Sequence, residues 1–210
     1  MLAGLREVLR AELDAKHIAR ETALRCSRDS IRASANAIRA IHRGEFTDAA
    51  RLIDESGRLV RAARDATEEH GDVRYAGFVA DAEKEHAEAQ LTAALVRGEG
   101  APTPGAIGVG AVAWLNGLGE VVGELRRELL DRLRREDLAG AELAMAQMDE
   151  IYELLVSIDY PDAMTGGLRR TTDAARGIIE RSRSDLTTGV VAARLAAHLD
   201  RAIATRQPET

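Results

Sequence analysis

Between residues 2 and 43 the chain carries no proline and, beyond Gly4, no glycine. Over that run Leu9, Leu13, Ile18, Leu24, Ile31, Ile38 and Ile41 recur at helical spacing. One very long helix, or two nearly collinear ones, fits the pattern. His42-Arg43-Gly44 then supplies a basic last turn and a glycine stop. A chain that begins this way has to bury a long apolar stripe against other helices. The composition agrees: aromatics are 3% and prolines number four. Ala, Leu, Arg and Glu dominate, which favours helices over a sandwich or barrel.

The remaining sequence divides along its glycines and prolines. A second helix is expected from about Phe46 to Glu69, closed by His70-Gly71. Asp72 is placed to cap a third, running from Tyr75 to about Val96. Residues 98–110 (GEGAPTPGAIGVG) read as a surface loop, mobile and lying within one bundle. A fourth helix, roughly Val112 to Arg134, has a stripe of Leu115, Leu118, Val122, Leu125 and Leu129. Gly117, Gly119 and Gly123 interrupt it, each costing up to about 1 kcal/mol relative to Ala. Close approach of another helix backbone would explain them. A fifth helix spans about Leu138 to Val156, and Asp159 to Gly167 forms a turn. Leu168 to Arg183 and Leu186 to Ala204 read as two further helices parted at Ser184-Asp185. The expectation is an all-α, single-domain bundle of six or seven helices over residues 1–205, with a frayed tail at 206–210.

No run of about 18 apolar residues is present, so no membrane span is expected. The charged, amphipathic N-terminus is unlike a signal peptide. One cysteine, Cys26, excludes an internal disulfide framework and a Cys-based zinc site. A cytoplasmic protein is expected. The net charge of −6 argues against a surface that grips nucleic acid throughout, though not against a local basic lining.

Chemistry concentrates in the third helix. Glu85 falls on the stripe of Phe78, Ala82, Ala89 and Val96, and Glu88 is its neighbour one turn on. Two adjacent carboxylates on a core-facing stripe repel each other and lose hydration. Arginine, shared protons or a divalent cation would compensate them. The other reading puts Glu85 at the rim, simply solvated. Glu120 and Glu124, one turn apart, lie on the side of the fourth helix that holds Gly117.

At this point the chain resembles the translin family, and within it the translin-associated factor X branch of archaeal or prokaryotic type. Residues 27–31 (SRDSI) and 40–43 (AIHR) are similar to the family's "SRD-I … LHR" pattern. Residues 84–89 (KEHAEA) look like "QEYVEA", and residues 114–127 (WLNGLGEVVGELRR) like "YLLGVADLTGELMR". Tyr160-Pro161, Leu168-Arg169-Arg170, residues 173–176 (DAAR) and 180–187 (ERSRSDLT) resemble "YP … LRRK-DVAR … EKTRGDLT". The resemblance implies an all-α fold of about seven helices that assembles into hollow homo-oligomers, typically octamers. It implies binding of single-stranded RNA and DNA, and for this branch magnesium-dependent endonucleolytic cleavage of RNA. The acids implied to be catalytic and metal-ligating fall on Glu85, Glu88 and Glu120, the last being Asp in the family motif. Mn²⁺ is the alternative cation.

Glu124 is either a further metal ligand or the ion-pair partner of Arg127. His86 is expected at a polar or RNA-facing surface, where it would stack on a base. With Glu83 it also makes a Glu-x-x-His pair of the di-iron type, but such a centre needs two of these pairs and two further glutamates. Arg25, Arg28, Arg32 and Arg43 along the first helix are candidates for a phosphate-tracking strip, ion pairing being the alternative. The run Arg126 to Arg135, interleaved with Glu128 and Asp131, reads as a salt-bridged face. Trp114 is expected in packing. Beside the nuclease reading stand a non-catalytic oligomer that binds single-stranded nucleic acid and a helical scaffold with no nucleic-acid role.

Overall fold

The computed structural model describes residues 2–204, so the expected tail at 206–210 lies outside the described residues. Among these residues there are nine helices and no strand. Six are long: α1 (Leu2–His42), α2 (Phe46–Ala66), α4 (Phe78–Val96), α6 (Ala111–Arg134), α7 (Leu138–Ser157) and α9 (Leu168–Ala204). Three are single turns: α3 (Gly71–Arg74), α5 (Pro104–Ile107) and α8 (Asp162–Thr165). The chain divides into two compact units, residues 1–121 and 122–210, with α6 contributing to both.

In the first unit α1 packs on α2 and α4, and α2 on α4. The first helix is continuous and stops where its sequence stops. Gly44 takes a φ of +77°, and the Gly44 and Glu45 amides bond the Ile41 and Ala40 carbonyls at 2.9 Å. The core between the three helices is built from small residues. Ala37, Ile38, Ala40 and Ile41 meet Ala49, Ile53, Ala89 and Ala93, while Ala23, Ala63 and Val79 close the other end. Alanine at the contacts brings the backbones close, so even serines are sealed inside. Ser56 Oγ lies 2.8 Å from both Ser30 Oγ and Ser34 Oγ, and all three are buried.

The apolar stripe of α1 is not buried throughout. Ile38 and Ile41 are in the core, whereas Leu9, Leu13 and Ile18 are 57–66% exposed. The cause is length: at 1.5 Å per residue α1 spans about 60 Å and its partners only about 30 Å. Its first turns overhang them.

In the second unit α7 packs on α9. The helix break expected at Ser184-Asp185 does not occur. Asp185 accepts from Arg126 at 2.8 Å, and the Arg183 and Ser184 carbonyls accept from Thr187 and Thr188. Serine and aspartate weaken a helix without breaking it, and Gly189 lies against Leu133. The last turns of α9 expose Val191, Leu195, Leu199 and Ile203, again one apolar row.

Asp72 does not cap the helix bearing the paired glutamates. It sits in α3 and pairs with Lys16, and α4 opens after Gly77 instead. The Gly- and Pro-rich segment is tied down rather than free. Thr103 caps α5, Trp114 Nε1 donates to the Pro102 carbonyl at 2.8 Å, and Arg64 donates to the Gly108 carbonyl at 2.6 Å.

Candidate metal centre

Two helices of the first unit supply the site. On α4, Glu88 is buried and Glu85 half-buried. On α6, Gly117 lies so close to α4 that a Cβ built there would be 2.8 Å from the Lys84 carbonyl oxygen, 3.0 Å from the Glu88 amide nitrogen and 3.1 Å from the Ala87 Cβ. Only a residue without a side chain lets the two backbones meet in this way. Glu120 follows one turn after Gly117 and is thereby carried to the same spot. One oxygen from each of Glu85, Glu88 and Glu120 lies within 4.8 Å of the others. Among the described residues this is the one group of three or more such side chains able to hold a metal ion. The additional methylene of Glu120 therefore does not prevent it from joining the other two. Glu124 is not in the group. The close-approach reading of the glycines holds for Gly117, but a Cβ at Gly123 would meet nothing within 4 Å.

One residue of this group escaped the sequence reading. Lys84 Nζ lies 2.6 Å from Glu120 and 3.2 Å from Glu85. Burial pushes its pKa down, but the two carboxylates outweigh that and leave it raised. Its signal in the sequence was rarity, since Lys16 and Lys84 are the only lysines.

The neighbouring faces of α4 do other work. Glu83 accepts from Arg64 at 2.7 Å and Arg74 at 3.0 Å. Burial alone would raise its pKa, and the two guanidiniums reverse that and hold it below the ordinary carboxylate value. Glu83 is thus a structural anion rather than half of a Glu-x-x-His metal pair. His86, expected at the surface, is buried, with Nδ1 3.1 Å from Ser56 Oγ. Burial, then Arg61 and Arg64, push its pKa down to about 4. The ring is neutral at neutral pH.

Of the basic strip, Arg32 pairs with Asp29 at 2.8 Å and Arg43 with Glu45 at 2.9 Å. Arg25 and Arg28 are exposed and make no ion pair among the described residues. The run after Arg126 is salt-bridged as expected, Arg132 holding Glu128 and Asp137, and Arg134 holding Asp131.

No family model matches the chain. The uncharacterized protein MJ0175 of Methanocaldococcus jannaschii is 29% identical over 191 residues, 89% of this chain and 83% of its own length. The AfC3PO crystal structure superposes with a TM-score of 0.80 at 33% identity, covering 89% of this chain and 97% of that one. AfC3PO in complex with duplex RNA gives 0.79 at 32%, over 89% and 96%. The apo-NeC3PO structure shares the fold at 18% identity, with a TM-score of 0.79 over 90% and 98%. Identity of this order over nearly the whole of both chains, on a common all-α architecture, makes this chain a member of the translin (C3PO) family.

Proposed function

We propose that the chain binds nucleic acid and cleaves RNA endonucleolytically at a divalent-cation site made by Glu85, Glu88 and Glu120, as in the factor X branch of the family. The observation that carries this reading is the convergence of three carboxylate oxygens from two helices within 4.8 Å. The donor set fits Mg²⁺, with Mn²⁺ as the alternative. Hard cations take oxygen ligands at about 2.1 Å, so two opposed oxygens on one ion stand about 4.2 Å apart, close to the span seen. A positive charge already stands between two of the acids, as Lys84 Nζ. When bound, the cation would neutralise the carboxylates, hold a phosphate and acidify an attacking water. Lys84, on a flexible four-carbon stem, can swing from Glu120 to a phosphate oxygen as a strand enters.

Arg25 and Arg28 are the unpaired members of the basic strip and would track the backbone. Arg32 and Arg43 would have to exchange a carboxylate for a phosphate. AfC3PO holds duplex RNA in one of its structures, so this chain's strand preference is read from both single-stranded and duplex probes. The exposed apolar rows of α1 and α9 fit burial in a homo-oligomer, for which an octamer is the proposed form.

Lys84 also favours a second reading. An ammonium that already satisfies Glu85 and Glu120 suits a shell that binds single-stranded RNA or DNA without cutting it. Labelled single-stranded RNA incubated with the protein in Mg²⁺ and in EDTA separates the two. Cleavage in Mg²⁺ that disappears in EDTA and in an E85A/E88A variant is expected. Identical behaviour of wild type and variant leaves only the binding shell.

A further inference from the structure

On α4, His86 and Gln90 face a side about 100° or more round from Glu85. There an open cleft of about 470 Å³ lies between α2, α4 and the segment 105–108, with Asp54, Arg58 and Arg61 exposed along its edge. That volume lies within the range of small-molecule sites. Arg58 and Arg61, neighbours at i,i+3 on α2, reach into it. Neither guanidinium makes a salt bridge or hydrogen bond with a described residue. Other arginines of this unit behave differently: Arg32, Arg43, Arg51, Arg64 and Arg74 each hold a carboxylate.

The walls are fixed. The segment above the cleft is held through the Trp114 and Arg64 hydrogen bonds. On the other side a Cβ at Gly57 would fall 3.1 Å from the His86 ring. The ring therefore fills the floor against α2, with Nδ1 on the Ser56 hydroxyl. Gln90 offers an amide, Asp54 a carboxylate at the rim, and Ile53 and Ile107 apolar surface.

We infer that this cleft binds a free mononucleotide, its phosphate forked between Arg58 and Arg61. The planar fork of a guanidinium can donate to two oxygens of a tetrahedral phosphate at once, and two such forks can share one phosphate. Asp54 is an acceptor for a ribose hydroxyl, Gln90 reads a base edge, and the isoleucines cover the base. A bare anion would use the arginines alone and meet the repulsion of Asp54.

Equilibrium dialysis with radiolabelled adenosine 5′-monophosphate tests this, with inorganic phosphate, adenosine and oligoribonucleotides with and without a 5′-phosphate as competitors. Saturable binding is expected, with phosphate and adenosine each at least tenfold weaker as competitors. R58Q/R61Q should lose at least tenfold in affinity and R58K/R61K a smaller factor, both with an unchanged helical circular dichroism spectrum. E85A/E88A should bind the nucleotide as wild type does, whatever happens to RNA cleavage. Absence of nucleotide binding, R58Q/R61Q binding like wild type, or inorganic phosphate competing as well as the nucleotide each overturns the inference. So does tight capture of the 5′-phosphorylated strand with no binding of the free nucleotide, which would make the cleft a strand-end pocket.

Discussion

Gly117→Ala isolates the contact on which the metal centre depends. In an ordinary helix the change is favourable by up to about 1 kcal/mol. Here the new methyl carbon would stand 2.8 Å from the Lys84 carbonyl oxygen and 3.0 Å from the Glu88 amide nitrogen, where ordinary contact begins near 3.4 Å. Both neighbours are backbone and cannot swing aside, so α6 has to retreat from α4 by about 0.6 Å. Overpacking of this kind costs about 1–3 kcal/mol. Set against a propensity gain of about 1 kcal/mol, the net loss is about 0–2 kcal/mol, or up to roughly 8 °C in melting temperature for a chain of this size. Glu120 travels with the helix, and the 4.8 Å grouping of oxygens opens by a similar distance. Metal sites tolerate about 0.5 Å of such looseness, so Mn²⁺ affinity measured calorimetrically should fall about tenfold. Gly123→Ala is the control on the same helix. Its methyl meets nothing within 4 Å, and it should raise the melting temperature by about 2–4 °C. A G117A protein as stable as wild type or more so, with unchanged Mn²⁺ affinity, would refute the close approach and the site built on it.

Glu83→Gln breaks the pair of bonds to Arg64 and Arg74. With both arginines about a quarter exposed, the loss in urea unfolding should be about 2–3 kcal/mol, below the range for a fully buried pair. Because the folded pKa of Glu83 is lowered, its contribution is full above the unfolded carboxylate pKa and disappears as pH falls through the folded value. Acid titration of wild type against E83Q should show that difference shrinking as pH falls. Ser56→Ala removes the hydroxyl shared by Ser30, Ser34 and His86, all buried, and should cost about 1–3 kcal/mol in the same assay. In filter binding of single-stranded RNA, R25A/R28A should lower the slope of log affinity against log salt by about 1.4, at about 0.7 per phosphate contact. R32A/R43A should lower it less, because both arginines are already paired; equal slopes for the two variants would argue against the assignment.

The fold was legible wherever local chemistry decides it. The proline-free run, with no glycine after Gly4, and its Arg43-Gly44 stop mark α1 without help from tertiary contacts, and Pro161 with Gly166-Gly167 marks the turn before α9. Errors arose where a partner decides. Leu9 and Leu13 have the spacing of core residues, yet no pattern within α1 records that α2 and α4 are half as long. Ser184-Asp185 looks like a boundary until Arg126, 59 residues away from Asp185, supplies a partner for the carboxylate. Gly117 faces a backbone closely and Gly123 does not, and spacing alone cannot tell the two apart.

The candidate site turns on how α4 compensates its three glutamates, which lie within six residues of each other. Their spacing shows that Glu85 and Glu88 share a face and that Glu83 does not. It does not show which counter-charge each receives. Glu83 is held by two guanidiniums, one of them also bonded to the Gly108 carbonyl, so its partners are built into the unit and leave only if it opens. Glu85, together with Glu120, faces instead a single ammonium at the end of a flexible chain. The difference separates a structural anion from an exchangeable one. A counter-ion that swings away at low conformational cost lets a divalent cation compete for its place, whereas two arginines on one carboxylate oxygen do not. The same helix therefore carries a fixed carboxylate that anchors α2 and the 104–108 turn, and beside it Glu85, whose compensation, shared with Glu120 of α6, is open to exchange.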